Sequence, residues 1–83
     1  MKPIIVDVRD PSEYAKSHVE NALNIPLGYF AVGIPDQLKY KPKDQPIIMY
    51  CNSGNRSGRA VESLLQYGFT DVTNGVNQAT VQS

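Results

Sequence analysis

Two short runs of apolar, largely β-branched residues limit what this chain can become: Ile4-Ile5-Val6-Asp7-Val8 and Pro46-Ile47-Ile48-Met49-Tyr50. A strand with one wet face alternates apolar and polar residues. A nearly continuous apolar run belongs instead to a strand covered on both faces, as in a parallel sheet. Helical signals follow each run. Asp10 stands where an N-cap belongs, Pro11 suits the first helical position, and Glu13 lies three residues after the cap. This predicts a short helix through Ser17. Arg56 to Tyr67 reads as the best helix, with Ala60, Val61, Leu64 and Leu65 as its apolar stripe and Gly68 as its stop.

The remaining segments fit the same alternation. Ala22 to Pro26 reads as a second short strand ended by Pro26. Between Tyr29 and Tyr40, the spacing of Phe30, Ile34 and Leu38 is helical, but Gly33 and Pro35 interrupt it, so broken turns are expected. Lys41 to Gln45 is a polar loop. Asp71-Val72-Thr73 reads as a last strand and Asn74-Gly75 as a turn, with about 76–83 a loosely ordered tail. Strands alternating with helices predict an α/β fold. The expected form is one domain over residues 1–83: a small, mainly parallel sheet of about four strands, with helices on both faces.

Composition removes several function classes. The 83 residues are 41% hydrophobic and 19% charged, which suits a small globular domain. Lys plus Arg and Asp plus Glu are 8 each, so no basic excess marks a nucleic-acid partner. The apolar runs are far too short to span a membrane, and Met1-Lys2-Pro3 leads into a strand without a signal-peptide pattern. The face-value expectation is a cytoplasmic monomer, or a periplasmic protein if the chain is the mature form of an exported one. A single Cys and a single His leave no disulfide framework and no recognisable metal site, so no metal is expected.

The lone cysteine sits in an informative place. Cys51 ends the second buried run, and Arg56 opens the best helix five residues later. In open α/β sheets ligands collect at the carboxyl ends of the strands. The intervening Asn52-Ser53-Gly54-Asn55 is rich in residues that tolerate left-handed backbone, so the loop can turn its N–H groups inward as an anion nest. The helix N-terminus adds roughly half a positive charge, and Arg56 a full one on a planar fork. These effects favour a thiolate, or an anionic persulfide, at Cys51. A lone Cys at a strand end is otherwise most often a small buried hydrophobe; the Arg and the permissive tetrapeptide shift the balance toward a reactive thiol.

With those residues stated, the chain resembles the rhodanese-type sulfurtransferases, and most of all their minimal single-domain bacterial, phage-shock type. Val6 to Tyr14, His18-Val19 and Ala22 to Pro26 resemble the family's N-terminal signature; Tyr50 to Ser57 resembles its active-site loop; Gly68-Phe69 and Val72 fit its helix-to-strand passage. The resemblance implies a rhodanese-like fold and a ping-pong reaction through a Cys51 persulfide. Arg56 would bind the donor's anionic end, the backbone N–H groups of Asn52, Ser53, Gly54, Asn55 and Arg56 would cradle the sulfur, and Ser57 would offer a hydroxyl at the loop's edge. The implied partners are a small-molecule sulfur donor such as thiosulfate and a thiol or cyanide acceptor, with no cofactor. The chain departs from relatives in carrying Ser17 and Asn21 where glycines are common. It also has Asn74-Gly75-Val76-Asn77 where a double glycine is usual, with no Trp beyond it.

Other residues weigh less. His18 is expected to serve a structural hydrogen bond, Asp7 to be a buried tether, and Arg9 to pair with Glu13 or another carboxylate. Arg59 lies on the helix face of Arg56 and reads first as a solvated charge. Two competing functions stand beside sulfur transfer. A phosphatase or arsenate reductase on this fold uses a Cys-to-Arg loop one residue longer, and Ser57 occupies the position where its Arg would be needed. A persulfide carrier, redox sensor or binding module would share every residue named.

Overall fold

The computed structural model describes residues 1–83. Four strands, β1 (Ile4–Asp7), β2 (Leu23–Asn24), β3 (Ile47–Tyr50) and β4 (Val72–Val76), form one sheet in the order β2-β1-β3-β4, and every pairing is parallel. Three α-helices accompany them: α1 (Pro11–Lys16), α2 (Asn55–Gln66) and α3 (Gln78–Gln82). The ambiguous middle of the chain resolves into two short 3₁₀ turns, Leu27–Val32 and Asp36–Leu38, separated at Gly33 to Pro35. The small parallel sheet of four strands expected from the two apolar runs is therefore present.

Strand periodicity sorts side chains to two faces. On one face Val6, Val8, Ile47, Met49 and Cys51 join Ile25, Phe30, Leu38, Ala60, Leu64 and Phe69 in the main core, covered by α2 and the first 3₁₀ turn. On the other, Tyr50 packs with Val19 and Ala22, with Tyr14 of α1 and Val81 of α3 against them. This alternation decides the site. Ile47, Met49 and Cys51 share a face, so Cys51 arrives beneath α2, whereas Tyr50 and its register partner Asp7 face away.

The C-terminal segment differs from the sequence expectation. Asn74-Gly75 is part of β4 rather than a turn, and 78–82 is a helix rather than a loose tail. Met49 pairs with Asn74 and Tyr50 with Val76, so Gly75 is the extra residue of a bulge. A Cβ at Gly75 would lie 2.5 Å from Val81 Cγ2 and 2.9 Å from Ile48 Cγ2, so the close approach of α3 requires glycine there. Val76 then takes φ 72°, a costly region for a β-branched residue. Asn77 caps α3 by accepting the Thr80 N–H at 2.8 Å, a local stop-and-start that the weak apolar pattern conceals. The two N-terminal departures are absorbed easily. Asn21 holds φ 68°, which asparagine tolerates, and Ser17 is extended.

Candidate active site

Cys51 follows directly from β3, and its own N–H is held by the Val76 carbonyl at 3.0 Å. The chain then turns through Asn52 to Gly54, where Gly54 takes φ 92° as the residue before α2. That left-handed step points backbone N–H groups at the sulfur: Gly54 donates to Cys51 Sγ at 3.1 Å and Ser57 at 3.5 Å. The Ser57 hydroxyl lies 3.4 Å from the same sulfur. Ser57 is fully buried, and Cys51 is 1% exposed. Burial pushes the thiol up. The Ser57 hydroxyl and the N–H groups of Ser57, Gly54 and Ser53 outweigh it and bring the thiol down to about 7. At neutral pH a substantial fraction is thiolate.

Asn52 and Asn55 contribute differently from the expected inward N–H groups, since neither hydrogen-bonds to the sulfur. The Asn52 side chain instead donates to Glu13 Oε2 at 2.9 Å, and Asn55 is the first residue of α2, exposed at the loop's outer edge. Arg56 turns its fork to Glu13, with Nη1 to Oε1 at 2.8 Å and Nη2 to Oε2 at 3.2 Å. Those bonds, chiefly, hold the Glu13 carboxyl down to about 2 against its partial desolvation, and the same partner raises the Arg56 guanidinium. Glu13 also accepts the Asp10 N–H at 3.2 Å, so one carboxylate joins the start of α1 to both shoulders of the loop. Arg59 lines a polar groove of about 460 Å³ with Gly54, Asn55 and Arg56.

Below the loop lies a buried ionic group. Arg9 binds the Asp7 carboxylate through Nε and Nη2, the shortest contact being 2.7 Å, and also donates to the Ser17 carbonyl at 2.7 Å. Tyr50 donates its hydroxyl to Asp7 at 2.9 Å and accepts the Val19 N–H at 3.0 Å. Burial above all pushes the Tyr50 phenol up to about 12, so it remains a donor. Arg9 thus pairs with Asp7 and leaves Glu13 to Arg56. His18 stacks on Tyr14 and bonds its carbonyl at 2.7 Å, away from the sulfur.

Two contributors lay outside the sequence-derived set. The sequence offers Glu13 as a helix cap and as a possible partner for Arg9; in the structure it keeps the cap but pairs with Arg56 and Asn52. Asn74 read as a turn residue. Its Oδ1 accepts the Ser57 hydroxyl at 2.7 Å and the Val76 N–H at 3.0 Å, and its Nδ2 donates to the Gly54 carbonyl at 3.0 Å. Nothing local in the sequence announces that role, which depends on the bulge at Gly75.

Chemically, the arrangement can stabilise an anion on one buried sulfur and present cationic and N–H groups around it. Comparison with known proteins places the chain in a family. Residues 1–76 match the family model described as Rhodanese-like domain. The chain is 40% identical over 73 residues to the thiosulfate sulfurtransferase PspE of Escherichia coli, covering 83% of this chain and 64% of that protein. It is 37% identical over 71 residues to a sulfurtransferase of Allochromatium vinosum, covering 86% and 63%. It therefore spans just under two thirds of the length of either relative. A solved structure described as a rhodanese with anions from E. coli superposes with a TM-score of 0.81 at 32% identity, covering 95% of this chain and 91% of that one.

Proposed function

The chain belongs to the rhodanese-like domain family, and from that membership we propose that it is a sulfurtransferase that carries sulfane sulfur as a Cys51 persulfide, with thiosulfate as donor and cyanide or a thiol as acceptor. One observation carries the reading: the Cys51 sulfur, at the N-terminus of α2, receives N–H groups from Gly54 and Ser57 and has its thiol lowered to about 7. A nucleophilic sulfur needs the thiolate at working pH, and the loop supplies it without a general base.

The Cys51 thiolate attacks the outer sulfur of thiosulfate. A sulfur–sulfur bond forms at Cys51, the bond to the sulfonate sulfur breaks, and sulfite leaves with the electron pair. Cyanide or a thiolate then attacks the outer sulfur of the persulfide, and the Cys51 thiolate departs. Charge balances in both halves, and no oxidant is consumed. The donor is a dianion, so Arg56 serves its anionic end by offering N–H groups beyond those engaged by Glu13; a guanidinium has five. The short loop favours sulfur over a tetrahedral phosphate, because only four residues separate Cys51 from Arg56.

Intact mass tests this directly. Thiosulfate should add one sulfur atom to the wild type, cyanide should remove it, and Cys51→Ser should take up none. Failure of the wild type to gain sulfur from both thiosulfate and a glutathione persulfide would overturn the enzyme reading.

A further inference from the structure

Asn74 comes from the edge strand, far in sequence from the loop, yet its carboxamide is used at both ends by the sulfur site. Its orientation is fixed by chemistry. The Val76 N–H at 3.0 Å can only donate, so it faces Oδ1; the Gly54 carbonyl at 3.0 Å can only accept, so it faces Nδ2. The Ser57 hydroxyl therefore meets an acceptor at Asn74, 2.7 Å away, and the Cys51 sulfur on its other side at 3.4 Å.

Ser57 is 0% exposed, so its one hydrogen has no water to go to and must choose between these two partners. While the sulfur carries a proton, the S–H can donate to Ser57 Oγ, and the Ser57 hydrogen belongs to Asn74. Once the sulfur is anionic it can only accept, and the charge-assisted bond is the stronger one, so the Ser57 hydrogen turns to the sulfur. Asn74 loses little by this: Oδ1 keeps the Val76 N–H, and the Asn74 residue is exposed to solvent. Its bond to Gly54 meanwhile holds in place the residue whose own N–H points at the sulfur.

We propose that Asn74 is a positioning residue of the sulfur site, holding the Ser57 hydroxyl hydrogen while Cys51 is protonated and releasing it to the sulfur when Cys51 is anionic. The proposal rests on Cys51 being the reactive sulfur, but it concerns the ionisation of that sulfur and not its transfer. The charged groups nearby are Arg56, Arg59 and Glu62 on α2, Glu13 behind Arg56 on α1, and the group of Asp7 on β1, Arg9 just after it and Tyr50 on β3; none hydrogen-bonds to Ser57 or Asn74. β4 and α3 contribute no titratable side chain. The movement Asn74 detects is therefore that of one hydroxyl hydrogen.

The test is a pH titration of amide resonances in the free protein, with no sulfur donor present. In the wild type, the Asn74 side-chain NH₂ and the Val76 N–H, which share the Asn74 carboxamide, should shift with the midpoint of Cys51 measured by alkylation rate. Both shifts should vanish in Cys51→Ser, which ties them to the sulfur. In Ser57→Ala, where no hydroxyl links the two, they should be lost or greatly reduced although Cys51 still ionises. Resonances that do not move in the wild type, or that move equally in Ser57→Ala, would overturn the proposal. A cycle adds a second reading. Asn74→Ala should move the Cys51 midpoint differently with Ser57 present than with Ser57→Ala, by at least about 0.4 pH unit, the low end for couplings within one hydrogen-bond network. Additive shifts would count against it. Because none of these measurements uses a donor, they stand or fall apart from the sulfurtransferase reading.

Discussion

Two arginine–carboxylate pairs tie the first strand and helix to the sulfur loop, and they are built for different purposes. Arg9 and Asp7 are 6% and 0% exposed at their side chains, share several hydrogen bonds, and are locked further by Tyr50 and the Ser17 carbonyl. Arg56 and Glu13 are 35% and 28% exposed and meet through a single fork. A buried pair cannot open without stranding a charge away from water, so it behaves as one rigid unit. A half-exposed pair can trade its partner for water or another anion at little cost. Arg9 also reaches toward Asn52 Oδ1 at 3.5 Å, while Glu13 holds Asn52 from the other side. The loop thus hangs between a fixed anchor and an exchangeable one, and the exchangeable arginine is the one beside the sulfur.

The largest expected effect comes from breaking the fixed anchor. Arg9→Ala leaves the Asp7 carboxylate buried without its counter-ion, and urea unfolding should show a loss of roughly 3–5 kcal/mol. Arg56→Ala should behave oppositely. Its unfolding free energy should stay within about 1 kcal/mol of wild type. Its kcat/KM for thiosulfate should fall roughly 10- to 100-fold, as for loss of a charge-assisted hydrogen bond. Should Arg56→Ala unfold as readily as Arg9→Ala, the contrast between the pairs would be wrong.

Smaller effects sharpen the comparison. The rate of Cys51 alkylation should rise with pH and reach half its maximum near pH 7, because the folded thiol titrates at about 7. Ser57→Ala should raise that midpoint by about one unit, and Arg56→Ala by less, since the hydroxyl and N–H groups at the sulfur outweigh the arginine turned toward Glu13. The smallest effect concerns Glu13. Its carboxyl is lowered to about 2, so its contribution to stability is complete above the ordinary carboxylate range and fades as pH falls through about 2. Thermal melts of wild type and Glu13→Gln should therefore differ most at neutral pH and converge near pH 2.

Much of this was legible in the chain itself, for identifiable reasons. The runs ending at Val8 and Tyr50 announced buried parallel strands, and Cys51 with Arg56 announced the loop, because each signal is local and short. The 3₁₀ turns could be foreseen from Gly33 and Pro35. The contributions of Glu13 and Asn74 could not, because each depends on a partner far away: Glu13 on Arg56, 43 residues on, and Asn74 on Ser57 and Gly54, 17 and 20 residues back. The tail was misread for a related reason. Its order comes from a bulge, a strained Val76 and an Asn77 cap, none of which leaves a hydrophobic period to read.

The parallel order of the sheet has a consequence for how the chain acquires its chemistry. β1 pairs with β3, so Asp7 meets Tyr50 only after a 43-residue excursion, and only when β4 has docked does the Cys51 N–H gain the Val76 carbonyl and do Ser57 and Gly54, which hold the sulfur, gain Asn74. Closures of this length make folding slower than in helical proteins of the same size. Until they are complete, Cys51 is an ordinary thiol, mostly protonated at neutral pH and slow to react. During refolding, the gain of thiol reactivity should therefore lag the appearance of helix and coincide with the docking of the last strand, so that an incompletely folded chain is protected from premature modification at its one cysteine.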